Sequence, residues 1–423
     1  MKTRWPGIIS LVGLALLLLL LASCKPSARE KDHHMDHKEN FQKGTYGYDA
    51  AFLNRHRIPT IELKDSASNA RVLLAPAYQG RVMTSTADGP DGMSFGWINY
   101  DLIASGKVSR QFNPFGGEER LWLGPEGGPF SIYFEKGNEQ TFAHWVVPGV
   151  IDTAAFDVVA HTAVSASFLK DLSLTNYSGA RLDIRLERTV KLLTREETEK
   201  LLGFSLDTSM QCVAYESENV LTNTGKTDWN RQHGFLSIWL LSMFNPSPRG
   251  VVFIPYKTDG EKEPGEVVRD DYFGKVPAER LIVKDGMIFF KTDGKYRSKI
   301  GIPPQRALPL CGSYDPVGNV MTLLWCSLPD KASPYVNSTW GKQDDPLHGD
   351  VINSYNDGPN DAGTVMGPFY EIESSSPAAL LPPGGRMTHT QRIFHITGDE
   401  KRLSALAETL FQWPLEEIKQ AFR

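Results

Sequence analysis

The sequence has little cysteine, no excess of positive charge and no apolar run of membrane-spanning length. Four cysteines stand in 423 residues, with no Cys-x-x-Cys pair and no Cys/His zinc spacing. A zinc ribbon or a dithiol redox centre is therefore excluded. Lysine and arginine number 45 against 50 aspartates and glutamates, a net charge of -5. That balance excludes a broadly basic binder of nucleic acid. There is no Rossmann glycine fingerprint, no P-loop and no repeat of fixed period, so the nucleotide-binding and solenoid classes fall away. The N-terminal apolar run, Ile8 to Leu21, has fourteen residues, where a spanning helix needs about 20.

What is present is globular. The chain is 41% hydrophobic and 22% charged, and it is long enough for one large core or two to three average ones. Lys2 and Arg4 precede the apolar run, which closes on Leu21-Ala22-Ser23-Cys24. A positive region, a short apolar core and small residues before a cysteine read as a signal peptide. The closing tetrapeptide resembles the lipobox of bacterial lipoproteins. That resemblance implies cleavage before Cys24, lipid on Cys24 and a bilayer as partner. Each buried methylene of such an anchor contributes about 0.8 kcal/mol. The expected location is the bacterial cell envelope, at the outer membrane. Residues 24–40 then read as a polar tether, its His33, His34 and His37 belonging to a solvated linker. The envelope is oxidising, and Cys212, Cys311 and Cys326 remain after the lipid site. Cys311 and Cys326 flank a hairpin, which leaves a disulfide or two buried thiols open.

The body of the chain is patterned for strands. Residues Arg181 to Val190 alternate polar and apolar without a break, so one face is expected buried and one wet. Val251 to Tyr256, Val320 to Trp325 and Ile393 to Ile396 are further strands. Turn signals such as Asp88-Gly89-Pro90, Asp293-Gly294 and Pro382-Pro383-Gly384-Gly385 separate them. Helical patterns are confined to Tyr48–His56, Arg195–Leu202 and Leu403–Phe411. The expectation is an all-β chain over residues 41–423: one sandwich of large antiparallel sheets with a few short peripheral helices.

Three segments carry a resemblance. Leu73 to Met83 runs from an apolar strand through Gly80 and Arg81 into a second strand. Asn113 to Gly128 carries two Gly-Gly pairs around Glu118, Glu119, Arg120, Trp122 and Glu126. Tyr370 to Pro377 and Leu381 to Arg392 place a Glu-bearing strand and a Pro-Gly turn before a long last strand. In this order the segments resemble the galactose mutarotase-like superfamily, and within it a family of envelope lipoproteins. The resemblance implies a β-supersandwich that handles carbohydrate, with no cofactor and no metal.

Aldose epimerisation needs a base for the anomeric hydroxyl and an acid for the ring oxygen. The resemblance assigns the base to a late-strand Glu. Glu373 matches it, and Glu371 shares its face by period two. The family's mid-chain His falls near Ile238 or Trp239, where this chain has none. His348 is the substitute considered, with His233 a further one. Glu119, Arg120, Trp122 and Glu126 are expected to bind substrate, since carboxylates and Arg serve hydroxyls and an indole stacks on a sugar ring. Trp340, Asn353, Tyr355, Asn356, Asp357, Asn360 and Asp361 form a second polar and aromatic region, with a loop preferred to an oxygen-ligand Ca²⁺ site. Two functions stand: a sugar-active enzyme of the aldose 1-epimerase kind, and a glycan-binding lipoprotein without catalysis. A glycan lyase would ask Arg120 and Tyr355 to serve.

Overall fold

Alternation from Arg181 onward becomes the strand Arg181–Leu192, with every second residue from Leu182 to Leu192 buried. The computed structural model describes residues 41–258, 265–360 and 363–423. The Arg181–Leu192 strand pairs antiparallel with Ser165–Thr175 on one side and Gln211–Asn223 on the other. They belong to a ten-stranded sheet that continues through Arg386–Thr397, Val320–Cys326, Leu310–Asp315, Val251–Pro255 and Met287–Lys291. A five-stranded sheet has the order Ser298–Ile302, Ile352–Asn356, Tyr370–Ser375, Ser237–Phe244, Arg120–Gly124, antiparallel throughout. Ile61–Lys64, Arg71–Ala75 and Arg81–Thr86 make a third.

The main core lies between the two larger sheets. Ile184, Leu186, Val252, Ile254, Leu324 and Ile393 from the large sheet share one apolar cluster with Leu121, Leu123, Ile238, Leu240, Ile352 and Ile372 from the five-stranded sheet. Full burial of each such side chain contributes roughly 1.5–3 kcal/mol. The other face of the large sheet is apolar too. Val251, Phe253, Phe289, Leu323 and Phe394 are covered by residues of the helices Glu400–Phe411, Leu415–Gln420 and Arg195–Leu202. The fold is thus the expected one: all-β, large antiparallel sheets, short helices at the periphery.

Helix ends follow their caps. Thr194 and Glu197 form a capping box before Arg195–Leu202, and Gly203 closes that helix in the left-handed region at φ +61°. The last long helix starts at Glu400, three residues before the expected Leu403, because Asp399 accepts from the Arg402 N–H. The first runs Tyr46–Arg55 behind Thr45. Cys212, Cys311 and Cys326 are free thiols. Cys311 pairs in register with Leu324, so Cys326 sits diagonally, about 7–8 Å away, beyond ordinary disulfide reach. Among the described residues no helix is long and apolar enough to cross a membrane. The signal peptide, Cys24 and the tether lie outside the described residues.

Candidate functional site

Period two places the site. In the strand Tyr370–Ser375, Ile372 points into the core, so Glu371, Glu373 and Ser375 point the other way. Register aligns Glu373 with Asn353 on one side and Leu241 on the other, and Leu241 with Arg120. One step along, Ser375, Trp239 and Trp122 are aligned; one step back stand Glu371, Tyr355 and Lys299. All of these line one cavity of ≈ 630 Å³. Its other walls come from loops that bring Glu126, Trp145, Arg269, Tyr272, Trp340 and Asp357 over the sheet. The sheet is therefore buried on both faces, which is why every residue of Tyr370–Ser375 is buried.

Ion pairs cross the cavity floor. Glu373 Oε2 accepts from Trp239 Nε1 at 2.8 Å and from Lys299 Nζ at 2.9 Å. Glu373 Oε1 is buried and has no hydrogen-bond partner. Arg120 Nη2 donates to Glu371 Oε1 at 3.0 Å, and its guanidinium lies 4.1 Å from the Trp122 ring centroid. Asp350 accepts from Arg269 Nη1 at 3.1 Å and from the Tyr272 hydroxyl. Burial pushes the Glu371 carboxyl up to about 7, against Arg120 and with help from the Glu373 charge. Burial also pushes Glu126 up, opposed by Lys299. Burial pulls the Lys299 ammonium down, but Glu373 and Glu126 outweigh it and the net shift is upward. Four indoles form one wall. Trp239 meets Trp122 at 5.6 Å between ring centroids, Trp122 meets Trp145 at 6.4 Å, and Trp145 stacks on Trp340 at 6.2 Å.

Of the residues expected from sequence, Arg120, Trp122, Glu126, Glu371 and Glu373 share this cavity. Glu119 does not line it. It faces the opposite side of the chain from Arg120, where Oε1 accepts from Arg188 Nη2 at 2.7 Å and Oε2 from Gln391 Nε2 at 2.6 Å. His348 is exposed on a loop and outside the cavity; its backbone carbonyl accepts from Arg269 at 3.4 Å and its N–H donates to the Asp345 carbonyl at 3.3 Å. His233 also lies outside the cavity. Trp340, Asn353, Tyr355, Asp357 and Asn360 line the same cavity, so the two sequence regions form one site. Asn356 faces away and donates to the Tyr296 carbonyl at 2.8 Å. Asp361 lies outside the described residues. Among the described residues no group of three or more His, Cys, Asp or Glu is arranged to hold a metal. Gly127 packs so closely on the Thr339 backbone that a Cβ there would collide with it. That glycine serves chain packing rather than ligand approach.

Residues 44–422 match DUF6786, a family of unknown function. The chain belongs to that family. No curated protein sequence matches it. Similar solved structures include the Slr1438 protein from Synechocystis, at 14% identity and a TM-score of 0.48, covering 81% of this chain and 96% of that one. A galactose mutarotase-like protein from Lactobacillus casei has 10% identity and a TM-score of 0.44, covering 80% of this chain and 100% of that one. A galactose mutarotase related enzyme from Lactobacillus acidophilus has 10% identity and a TM-score of 0.40, covering 80% and 97%.

Sequence reasoning missed several residues of the site in this DUF6786 protein. Trp239 stands where a His was sought. Its N–H donates to Glu373, and an indole, a donor only, cannot replace an imidazole as general acid. Lys299 lies on a short strand, Ser298–Ile302, whose Ser and Gly blur the pattern. Arg269, Tyr272 and Asp350 belong to loops with no local signal. Among the described residues no histidine lines the cavity. Tyr355 donates its hydroxyl to Asp357 at 2.8 Å, and burial pushes its pKa up, which disfavours a phenolate base for lyase chemistry.

Proposed function

We propose that this protein is a lipid-anchored protein of the bacterial envelope whose cavity binds carbohydrate. One observation carries the binding part. Asn353, Glu373 and Arg120 lie in a row across the sheet, and the indoles of Trp239 and Trp122 lie in the next row on the same face. Polar groups beside flat apolar rings are what a saccharide needs, hydrogen bonds for its hydroxyls and a platform for its C–H face. The cavity volume falls within the roughly 300–1,000 Å³ of small-molecule sites. Calorimetric titration with a panel of mono- and oligosaccharides tests the reading. Binding is expected to weaken at least tenfold in Trp122→Ala; an unchanged Kd in that variant counts against it.

The anchor rests on the sequence around Cys24. Cys24→Ala should leave the protein in the soluble fraction of cells, and persistent membrane fractionation of that variant would sink the lipoprotein reading.

A second reading, an aldose 1-epimerase-like enzyme with Glu373 as base, is favoured by the unpartnered Glu373 Oε1. Lys299 and Trp239 occupy only Oε2 and leave the lone pairs of Oε1 for a substrate hydroxyl. Glu373→Gln should abolish anomer exchange while sugar affinity stays within about tenfold, because the amide keeps the shape and loses the basicity.

A further inference from the structure

The cavity contains a carboxylate whose surroundings differ from those of the others on its floor. Glu371, Glu373 and Asp350 each touch a cation, respectively Arg120, Lys299 and Arg269, and Asp357, which makes no ion pair among the described residues, is held by the Tyr355 hydroxyl at 2.8 Å and the Gly367 N–H at 2.9 Å. Glu126 has no cation within ion-pair distance among the described residues. It lies just beyond the strand Arg120–Gly124, where its backbone N–H donates to Ser338 Oγ at 3.2 Å and its carbonyl accepts from Ser131 Oγ. Its side chain is half-buried beside Trp145 and Trp340. Those two rings continue through Trp122 to Trp239, which holds Glu373. The indole wall thus has Glu373 at one end and Glu126 at the other.

We propose that Glu126 is the proton donor to the ring oxygen of a hemiacetal sugar, acting opposite Glu373 as the base. This rests on the carbohydrate reading of the cavity. Glu373 Oε1 takes the proton of the anomeric hydroxyl, and the O–H electron pair becomes the π bond of the C1 carbonyl. The bond from C1 to the ring oxygen breaks, and its electron pair takes the Glu126 proton. The aldehyde turns about the C1–C2 bond, and the steps reverse on its other face. Nothing is oxidised or reduced, and both carboxyls end as they began.

The charges around the two groups support this division. Burial favours the neutral form of Glu126 and outweighs Lys299; the Glu373 charge acts with burial, and the Trp340 and Trp145 N–H groups act with Lys299. Lys299 Nζ and Trp239 Nε1 both donate to Glu373 Oε2, which leaves Oε1 without a partner and free to accept a substrate proton. Tyr133 also faces Glu126, but its hydroxyl is tied to the Leu123 carbonyl at 2.8 Å. Carboxyls in unlike surroundings divide acid from base.

The test uses the mature protein with D-glucose, D-galactose and maltose. Saturation-transfer NMR reads binding, and exchange spectroscopy reads α/β interconversion from pH 5 to 9. Each sugar that binds should exchange faster than in buffer. Glu126→Gln should slow that exchange about 100-fold or more, keep affinity within about tenfold, and remove the alkaline limb of the pH profile. Glu126 makes no ion pair, so the variant should melt with the wild type. Binding without accelerated exchange overturns the proposal, as does full exchange in Glu126→Gln. If the limb disappears in Glu371→Gln and persists in Glu126→Gln, the proton comes from Glu371 and the proposal falls. If none of the sugars binds, the carbohydrate reading fails first and takes this inference with it.

Discussion

Glu371 and Glu373 are two residues apart on one strand and live under different constraints. Glu371 has its carboxyl raised by burial to about 7, above the roughly 4.3 of an unfolded chain. Between those values the folded state binds more protons than the unfolded one, so stability falls as pH rises. The contribution is fully present below about 4.3 and is lost as pH passes through about 7. Thermal melts at pH 5 and pH 8 should therefore show a smaller difference in Glu371→Gln than in the wild type. An equal or larger difference would show that Glu371 does not titrate in that window. That these two acids share one face was legible by period two. Their burial was not, because Glu-x-Glu in a strand reads as a solvent-facing edge until something covers it.

Elements were legible where both ends carry local chemistry. The helix Arg195–Leu202 has the expected bounds because a capping box opens it and a left-handed glycine closes it. Thr194→Ala should cost about 0.5–2 kcal/mol, read as a lower urea midpoint with an unchanged slope. A variant as stable as the wild type would mean the first turn is held by packing alone. The strand Arg181–Leu192 was equally plain, because only one of its faces is apolar. The strand Ser298–Ile302 was not. Its Lys299 faces a covered cavity, so polar and apolar positions are both buried and the alternation no longer marks inside and outside.

At the scale of the whole molecule, a single ion pair connects all three sheets. Arg188 comes from the large sheet and donates to Glu119 at 2.7 Å, to Asn219 at 2.7 Å and to the Gly80 carbonyl at 3.1 Å. Glu119 pairs through its backbone with Val82 and precedes the first residue of the Arg120–Gly124 strand. Both side chains are fully buried. Glu119→Ala leaves the guanidinium uncompensated, and an unfolding titration should show a loss of about 3–5 kcal/mol. Sugar affinity of the folded fraction should not change, since Glu119 faces away from the cavity; a weakened affinity would restore it to the site. From sequence this residue looked like a neighbour of Arg120 with the same task. Adjacent residues in a strand face opposite ways, and nothing local says which face is the cavity.

The place of the late strands in the sheets bears on how the chain can fold. Tyr370–Ser375 lies in the middle of the five-stranded sheet, and Arg386–Thr397 lies between Val320–Cys326 and Gln211–Asn223 in the large one. Neither sheet can close until the chain has been made almost to residue 397. Pairings that join residues more than 170 positions apart, such as Arg392 with Glu216, or that await the late strand, such as Leu241 with Glu373, are slow to form because long loops must close first. A growing chain of this kind stays without its central strands through most of synthesis. Under the export and anchoring proposed above, such a delay would keep the chain in a form that can still be threaded across a membrane.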